Sequence, residues 1–178
     1  RIPPISRANF VRSLLSTSRG SGVRAYTQDM ESHVAVIGAG PAGSVCAQEL
    51  QRARVAVTVF EKARGPGGRT ARRREEPWHF DHGAQYLTVR TPEGEQVIAS
   101  LASAGVVAEW RPRIYRYRNG ALEARPPAAH PRYVGVPGMS SICRHLLRNV
   151  SAELERRVVS AEYRGGAWSI ADGNGALF

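Results

Sequence analysis

The stretch HVAVIGAGPAGSVCAQEL, residues 33–50, constrains the fold more than any other part of the chain. Val34 to Ile37 form a short apolar run of the kind buried in a parallel sheet. Gly38, Gly40 and Gly43 follow at G-x-G-x-x-G spacing. Gly38 permits a tight turn out of the strand, Gly40 lets a pyrophosphate approach the backbone, and Gly43 lets the next helix pack closely on the sheet. A helix is predicted from about Pro41 to Arg52, with Pro41 in the first turn, where a missing N–H costs nothing. Ala42, Val45, Cys46 and Leu50 would form its inward stripe, with Ala47 small enough to assist close packing. The free N–H groups and positive end of such a helix suit a phosphate.

A second strand, RVAVTVF, runs from Arg54 to Phe60 and ends at Glu61. An acid at this point can accept both hydroxyls of an adenosine ribose, and it would repel a 2′-phosphate. Strand, glycine turn, helix, strand and acid together predict a dinucleotide site, and the acid argues against an NADP role for this half. The alternative is a glycine turn that serves packing alone.

The motif so far does not separate FAD from NAD. The next residues do. Lys62 to Thr70, KARGPGGRT, form a second glycine loop directly after the ribose acid. Such a loop can fold back over the same pyrophosphate and offer backbone N–H groups. Arg69 can add charge-assisted bonds to phosphate or stabilise the loop. Arg72, Arg73 and Arg74 adjoin Glu75 and Glu76 and read as a solvated strand end. Trp78 and Phe80 alternate with His79 as in a strand with one buried face. His79 and His82 flank Asp81, but a metal site needs further ligands, and no metal is expected.

Three segments together, VAVIGAGPAGSVCAQEL, VTVFEKARGPGGRTARRR and FDHGAQYLTVR, resemble the FAD-dependent amine oxidase superfamily. The likeness is greatest to its renalase-like branch of NAD(P)/FAD-dependent oxidoreductases and covers about residues 33 to 172. The resemblance implies that Gly38, Ala39, Gly40, Pro41, Ala42 and Gly43 cradle the FAD pyrophosphate. It implies that Glu61 holds the adenosine ribose with Lys62 at its border, and that Gly68, Arg69 and Thr70 close the second side of the phosphates. Ala84, Gln85 and Tyr86 would approach the flavin ring, and the Val158 backbone would meet the adenine. The implied activity is hydride transfer from an amine or a dihydronicotinamide-like small molecule to flavin. The resemblance names no catalytic side chain here.

Downstream, a helix is expected over Pro92 to Ala104, capped by Thr91 and with Val97, Ile98, Leu101 and Ala102 on its apolar side. Asn119-Gly120 marks a hairpin turn. The segment PAAHPRYVGVPGMSSICRHLL suggests a strand, a loop and a helix with Met139, Ile142, Cys143, Leu146 and Leu147 in the core. A strand pair should turn at Gly165-Gly166. His33, His130 and His145 lack an evident nucleophile partner.

The fold expected is therefore α/β: a Rossmann-like FAD/NAD(P)-binding domain with a parallel sheet and three-layer packing, plus the start of an antiparallel substrate-side domain. Residues 30–90 would form the FAD-binding core with its second glycine loop. Residues 91–135 would lead into the substrate-side region, and 136–178 would return to the FAD-binding domain. The late flavin-contacting segment of the family has no counterpart in the sequence, so the expectations include a truncated product that binds FAD poorly, or a non-catalytic nucleotide-binding fragment.

The chain carries a formal net charge of +10, which alone would suggest an anionic partner such as nucleic acid. Residues 1–28 hold five arginines and no acid, so the remaining 20 basic and 15 acidic residues leave only +5. Nucleic-acid binding is not expected. Residues 1–29 read instead as a disordered leader. A helix between Ile5 and Ser16 would gather Phe10, Val11, Leu14 and Leu15 opposite arginines, the pattern of a transit peptide. Arg24 and Tyr26 suit a processing site. The destination would be the mitochondrion or a plastid, with a leaderless cytoplasmic form starting at Met30 as the alternative. No apolar run reaches the roughly 18 residues of a membrane span. Cys46 and Cys143 lack metal-like spacing and read as free, buried thiols.

Overall fold

The computed structural model describes residues 33–126, 128–175 and 178. The leader at 1–29, its expected helix and processing site, and Met30 lie outside the described residues.

The chain opens with strand β1 (His33–Ile37), helix α1 (Pro41–Arg52) and strand β2 (Ala56–Phe60). β1 and β2 pair in parallel, with Val34 opposite Val57 and Val36 opposite Val59. Strand alternation turns these four valines towards α1. There Val57 and Val59 are buried with Ala39, Ala47, Leu50, Leu147 and Val150, while Val34, Val36 and Val55 are half-buried against them. This is one of two hydrophobic cores among the described residues.

α1 has the predicted bounds but a different inward face. Ser44, Ala47 and Leu50 are buried, whereas Ala42 and Val45 are exposed and Cys46 is half-buried. Gly43 sets the rotation. A Cβ there would run into the Gly38 carbonyl oxygen, so this side must lie on the strand exit. Steps of four and seven residues from Gly43 bring Ala47 and Leu50 to the same side.

A 3-10 turn (Gly68–Thr70) follows β2, then the hairpin of β3 (Arg73–Glu75) and β4 (Trp78–Phe80). The buried face expected for β4 is absent: Trp78 is 67% and Phe80 52% exposed. This two-stranded ribbon has no described layer covering it, so alternation of residue types does not produce burial. Arg73 pairs with Glu75 at the surface. Arg72 is not part of a solvated face, because its side chain is half-buried and lies over Gly138.

Strand β5 (Leu87–Thr88), helix α2 (Pro92–Ser103) and strand β6 (Val107–Trp110) come next. Thr91 caps α2 by accepting the Gly94 N–H at 3.2 Å. Ile98 and Leu101 are buried; Val97 is exposed, as is Ala102. Strands β7 (Tyr115–Arg118) and β8 (Ala121–Ala124) form the hairpin predicted at Asn119-Gly120, and both turn residues have positive φ. Strand β9 (Arg132–Gly135) lies between β5 and β6 in an antiparallel sheet.

Helix α3 (Ser141–Leu146) joins the two cores. Ile142 and Leu146, with fully buried Met139, pack against Ile98, Leu101, Val106 and Val107. The next residue, Leu147, enters the core beneath α1. Cys143 is buried, and both cysteines are free.

Strand β10 (Ser151–Glu153) then pairs in parallel with β2, giving the sheet order β1-β2-β10. Strands β11 (Val158–Arg164) and β12 (Ala167–Asp172) end the described fold as an antiparallel hairpin turning at Gly165-Gly166. α1 covers one face of the parallel sheet. On the other face a cavity of about 290 Å³ lies between Thr58 and Phe60 of the sheet and Val158, Ile170 and Asp172 of the hairpin. The architecture is an α/β fold with a parallel Rossmann-like sheet and additional antiparallel sheets. No helix among the described residues is long and apolar enough to cross a membrane.

Candidate functional site

The exit of β1 forms the floor of the site. Gly38 has φ +101°, a conformation that L side chains rarely adopt, and its N–H donates to the Phe60 carbonyl at 2.8 Å. That bond ties together the ends of β1 and β2. Gly40 then begins α1 in extended conformation, and no side chain caps the helix. The first turn also lacks acidic residues. Its N–H groups therefore present positive potential with no acid of the helix's own first turn beside them.

Glu61 sits beneath this turn and is buried. Its Oε2 accepts the Ala39 N–H at 2.8 Å and its Oε1 accepts the Ala63 N–H at 2.9 Å. One carboxylate thereby fastens the first glycine turn to the start of the second loop. Lys62 beside it is exposed.

The second loop returns to the first. The Gly67 N–H donates to the Ala39 carbonyl at 2.9 Å. A Cβ on Gly68 would stand 3.1 Å from Gly40 Cα. The two glycine motifs therefore touch, backbone on backbone, and a side chain on Gly68 would press on Gly40. Thr70 is turned inward. Its Oγ1 donates to the Gly67 carbonyl at 2.7 Å and approaches Cys143 Sγ at 3.6 Å. Arg69 projects from the same turn and is exposed.

The third motif rests on the second. The Ala84 N–H donates to the Arg69 carbonyl at 2.8 Å, and a Cβ on Gly83 would collide with that same carbonyl. Asp81 Oδ1 accepts the Met139 N–H at 3.1 Å, linking this segment to the start of α3. Ala84, Gln85 and Tyr86 are exposed beyond that junction.

Val158 reaches the neighbourhood from the far side of β10. The Glu61 N–H donates to the Glu153 carbonyl, and the Arg156 N–H to the Glu61 carbonyl, both at 2.9 Å. Val158 follows two residues later and lines the cavity described above. That cavity lies on the sheet face away from α1.

Three features escaped the sequence reading. Arg72 lies across Gly138, Arg156 pairs with Asp172 at 2.6 Å, and Tyr86 meets Trp110 and Arg132. In the last, the Arg132 guanidinium lies 4.6 Å from the Tyr86 ring centroid and the Tyr86 and Trp110 rings are 5.9 Å apart. Each contact joins residues remote in sequence, and no local spacing signals it. Among the described residues no group of three or more His, Cys, Asp or Glu side chains is placed to hold a metal.

Comparison with known proteins agrees with this geometry. The family described as NAD(P)-binding Rossmann-like domain matches residues 36–104. A flavin-containing monooxygenase of Arabidopsis thaliana, FMO GS-OX-like 5, is 64% identical over 36 residues, 20% of this chain and 8% of its own length. Another from the same organism, FMO GS-OX3, is 38% identical over 76 residues, 38% of this chain and 16% of its own. The match thus spans a small part of these relatives. Among solved structures, putrescine oxidase bound to putrescine superposes with a TM-score of 0.63 at 11% identity, over 83% of this chain and 56% of that one. The structural likeness shows the fold alone, a Rossmann-type α/β fold.

Proposed function

We propose that the chain is the cofactor-binding part of an FAD-dependent oxidoreductase that takes a hydride from an amine or a dihydronicotinamide-like small molecule. The observation that carries this reading is the contact of the two glycine loops at Gly40 and Gly68. A simple NAD domain needs only the first loop, whereas a second one folded onto it supplies a longer backbone floor for a pyrophosphate.

The residues fit FAD in kind. Gly38, Ala39, Gly40, Pro41, Ala42 and Gly43 would hold the pyrophosphate at the uncapped end of α1. Gly68 and Arg69 would close its other side, with Thr70 bracing the loop through its bond to Gly67. Glu61 would orient the adenosine ribose with Lys62 at the border, and the Val158 backbone would lie against the adenine. Ala84, Gln85 and Tyr86 would lie along the ring system. FAD, when bound, supplies the hydride-accepting chemistry; the protein's part is placement, electrostatics and exclusion of water. Residues 30–90 and 136–178 are the proposed cofactor domain, and 91–135 lead to the substrate side.

Fluorescence titration with FAD, FMN and NAD tests the reading. FAD should bind about tenfold more tightly than either, since only FAD engages both the adenosine and the flavin contacts. Equal affinity for NAD and FAD would leave a generic dinucleotide site. We also propose that the basic leader directs the chain to the mitochondrion or a plastid. Residues 1–29 fused to a fluorescent protein should then label one of these organelles, and a cytosolic signal would contradict it.

A further inference from the structure

We propose that Arg132, Tyr86 and Trp110 form a subsite for an oxyanion on a small conjugated or aromatic substrate. Its place in the reaction rests on the flavin reading above, because Tyr86 belongs to the segment assigned to the flavin ring. The binding chemistry stands on separate observations.

The three residues come from three neighbouring stretches of one sheet. Arg132 is the first residue of β9 and pairs with Trp110 at the end of β6 on one side and Thr88 of β5 on the other. Tyr86 immediately precedes β5. Trp110 and Thr88, directly opposite Arg132, share its face, and Tyr133 turns to the other, where it packs on the second core. The sheet thus fixes the spacing of the group, and half-burial restrains the arginine.

The guanidinium lies over the Tyr86 ring, 4.6 Å from its centroid. A cation–π contact uses up no N–H donor, so the guanidinium keeps its N–H fork. That fork matches a carboxylate or phosphate. Among the described residues no acid lies within ion-pair distance of Arg132. The nearest acid along β6, Glu109, is held by Arg111 through two bonds of 2.9 and 3.0 Å. The part-exposed Trp110 and Tyr86 rings beside the fork offer a flat apolar surface. A fixed cation with open donors beside two rings selects an oxyanion attached to a planar group and disfavours a bare cationic amine.

Calorimetric titration of the chain without FAD tests this, using benzoate, phenyl phosphate, benzamide and benzylamine as probes. Benzoate or phenyl phosphate should bind at least about tenfold more tightly than benzamide or benzylamine, as expected when a charge-assisted bond is lost. Preference between the two anions separates carboxylate from phosphate substrates. Arg132→Met should reduce the favoured anion to the affinity of benzamide, and Arg132→Lys should retain part of it. The lysine variant keeps the test decisive should the methionine variant fail to fold, which circular dichroism would show. Equal affinities for all probes, tighter binding of benzylamine, no anion binding, or a folded Arg132 variant with unchanged anion affinity would overturn the proposal. Loss of FAD binding with anion binding still dependent on Arg132 would count against the flavin reading alone.

Discussion

The glycine floor and the β7–β8 hairpin are built on opposite principles. At the floor, backbone meets backbone: Gly43 on Gly38, Gly68 on Gly40, Gly83 on Arg69. Polar groups there are buried and bonded, as with Glu61 between Ala39 and Ala63. In the hairpin every residue of both strands is exposed. Tyr117 and Leu122, paired across it, are 72% and 71% exposed. The floor holds its shape by forbidding side chains. The hairpin keeps its register through the Asn119-Gly120 turn and backbone pairing, while its side chains remain free to change.

The contrast predicts a steep gradient of mutational cost. Gly43→Ala should be the most damaging change, because the new methyl meets a backbone carbonyl and cannot be relieved by a rotamer. A loss of about 3 kcal/mol is expected in denaturant unfolding; a loss below the hairpin's would break the contrast. Glu61→Gln should follow. The amide keeps one acceptor and presents a donor to the other N–H, costing about 1 to 3 kcal/mol.

A smaller effect concerns pH. Burial, reinforced by repulsion from Arg148, holds the His145 imidazole below its ordinary pKa of 6.5. The unfolded chain therefore binds this proton more readily. The stability His145 contributes is complete above about pH 6.5 and is lost as pH falls through that value towards the folded one. Melting temperatures from pH 8 to 5 should fall less for His145→Gln than for the parent. A parallel fall in both would remove His145 from the account. Tyr117→Ala should do least, within about 0.5 kcal/mol. A larger cost would mean that the hairpin face is covered in solution.

The same contrast explains what could be read in advance. Gly38, Gly40 and Gly43, the bounds of α1 and the Glu61 position were legible because local spacing alone dictates them. The second loop was legible as a glycine cluster able to fold back over the same pyrophosphate, because its glycines follow the ribose acid directly. The rotation of α1 was misjudged because hydrophobicity favoured Val45, whereas the Gly43–Gly38 approach decides the inward side. The exposed Trp78 and Phe80 were misjudged because alternation reports a strand and not the layer needed to bury it. Arg132 with Tyr86 and Trp110 was invisible, since β-sheet register brings together residues that no motif connects.

Gly40→Ala tests the central claim most directly. Gly40 has an ordinary φ of −77°, and a Cβ there would find only Gly68 Cα, at 3.8 Å. The fold should therefore tolerate alanine within about 0.5 kcal/mol, while the methyl obstructs a pyrophosphate approaching the joined loops. Unchanged unfolding with FAD affinity lowered at least about tenfold is the expected result. FAD binding as tight as in the parent chain would contradict the assignment of the two glycine loops to one cofactor site.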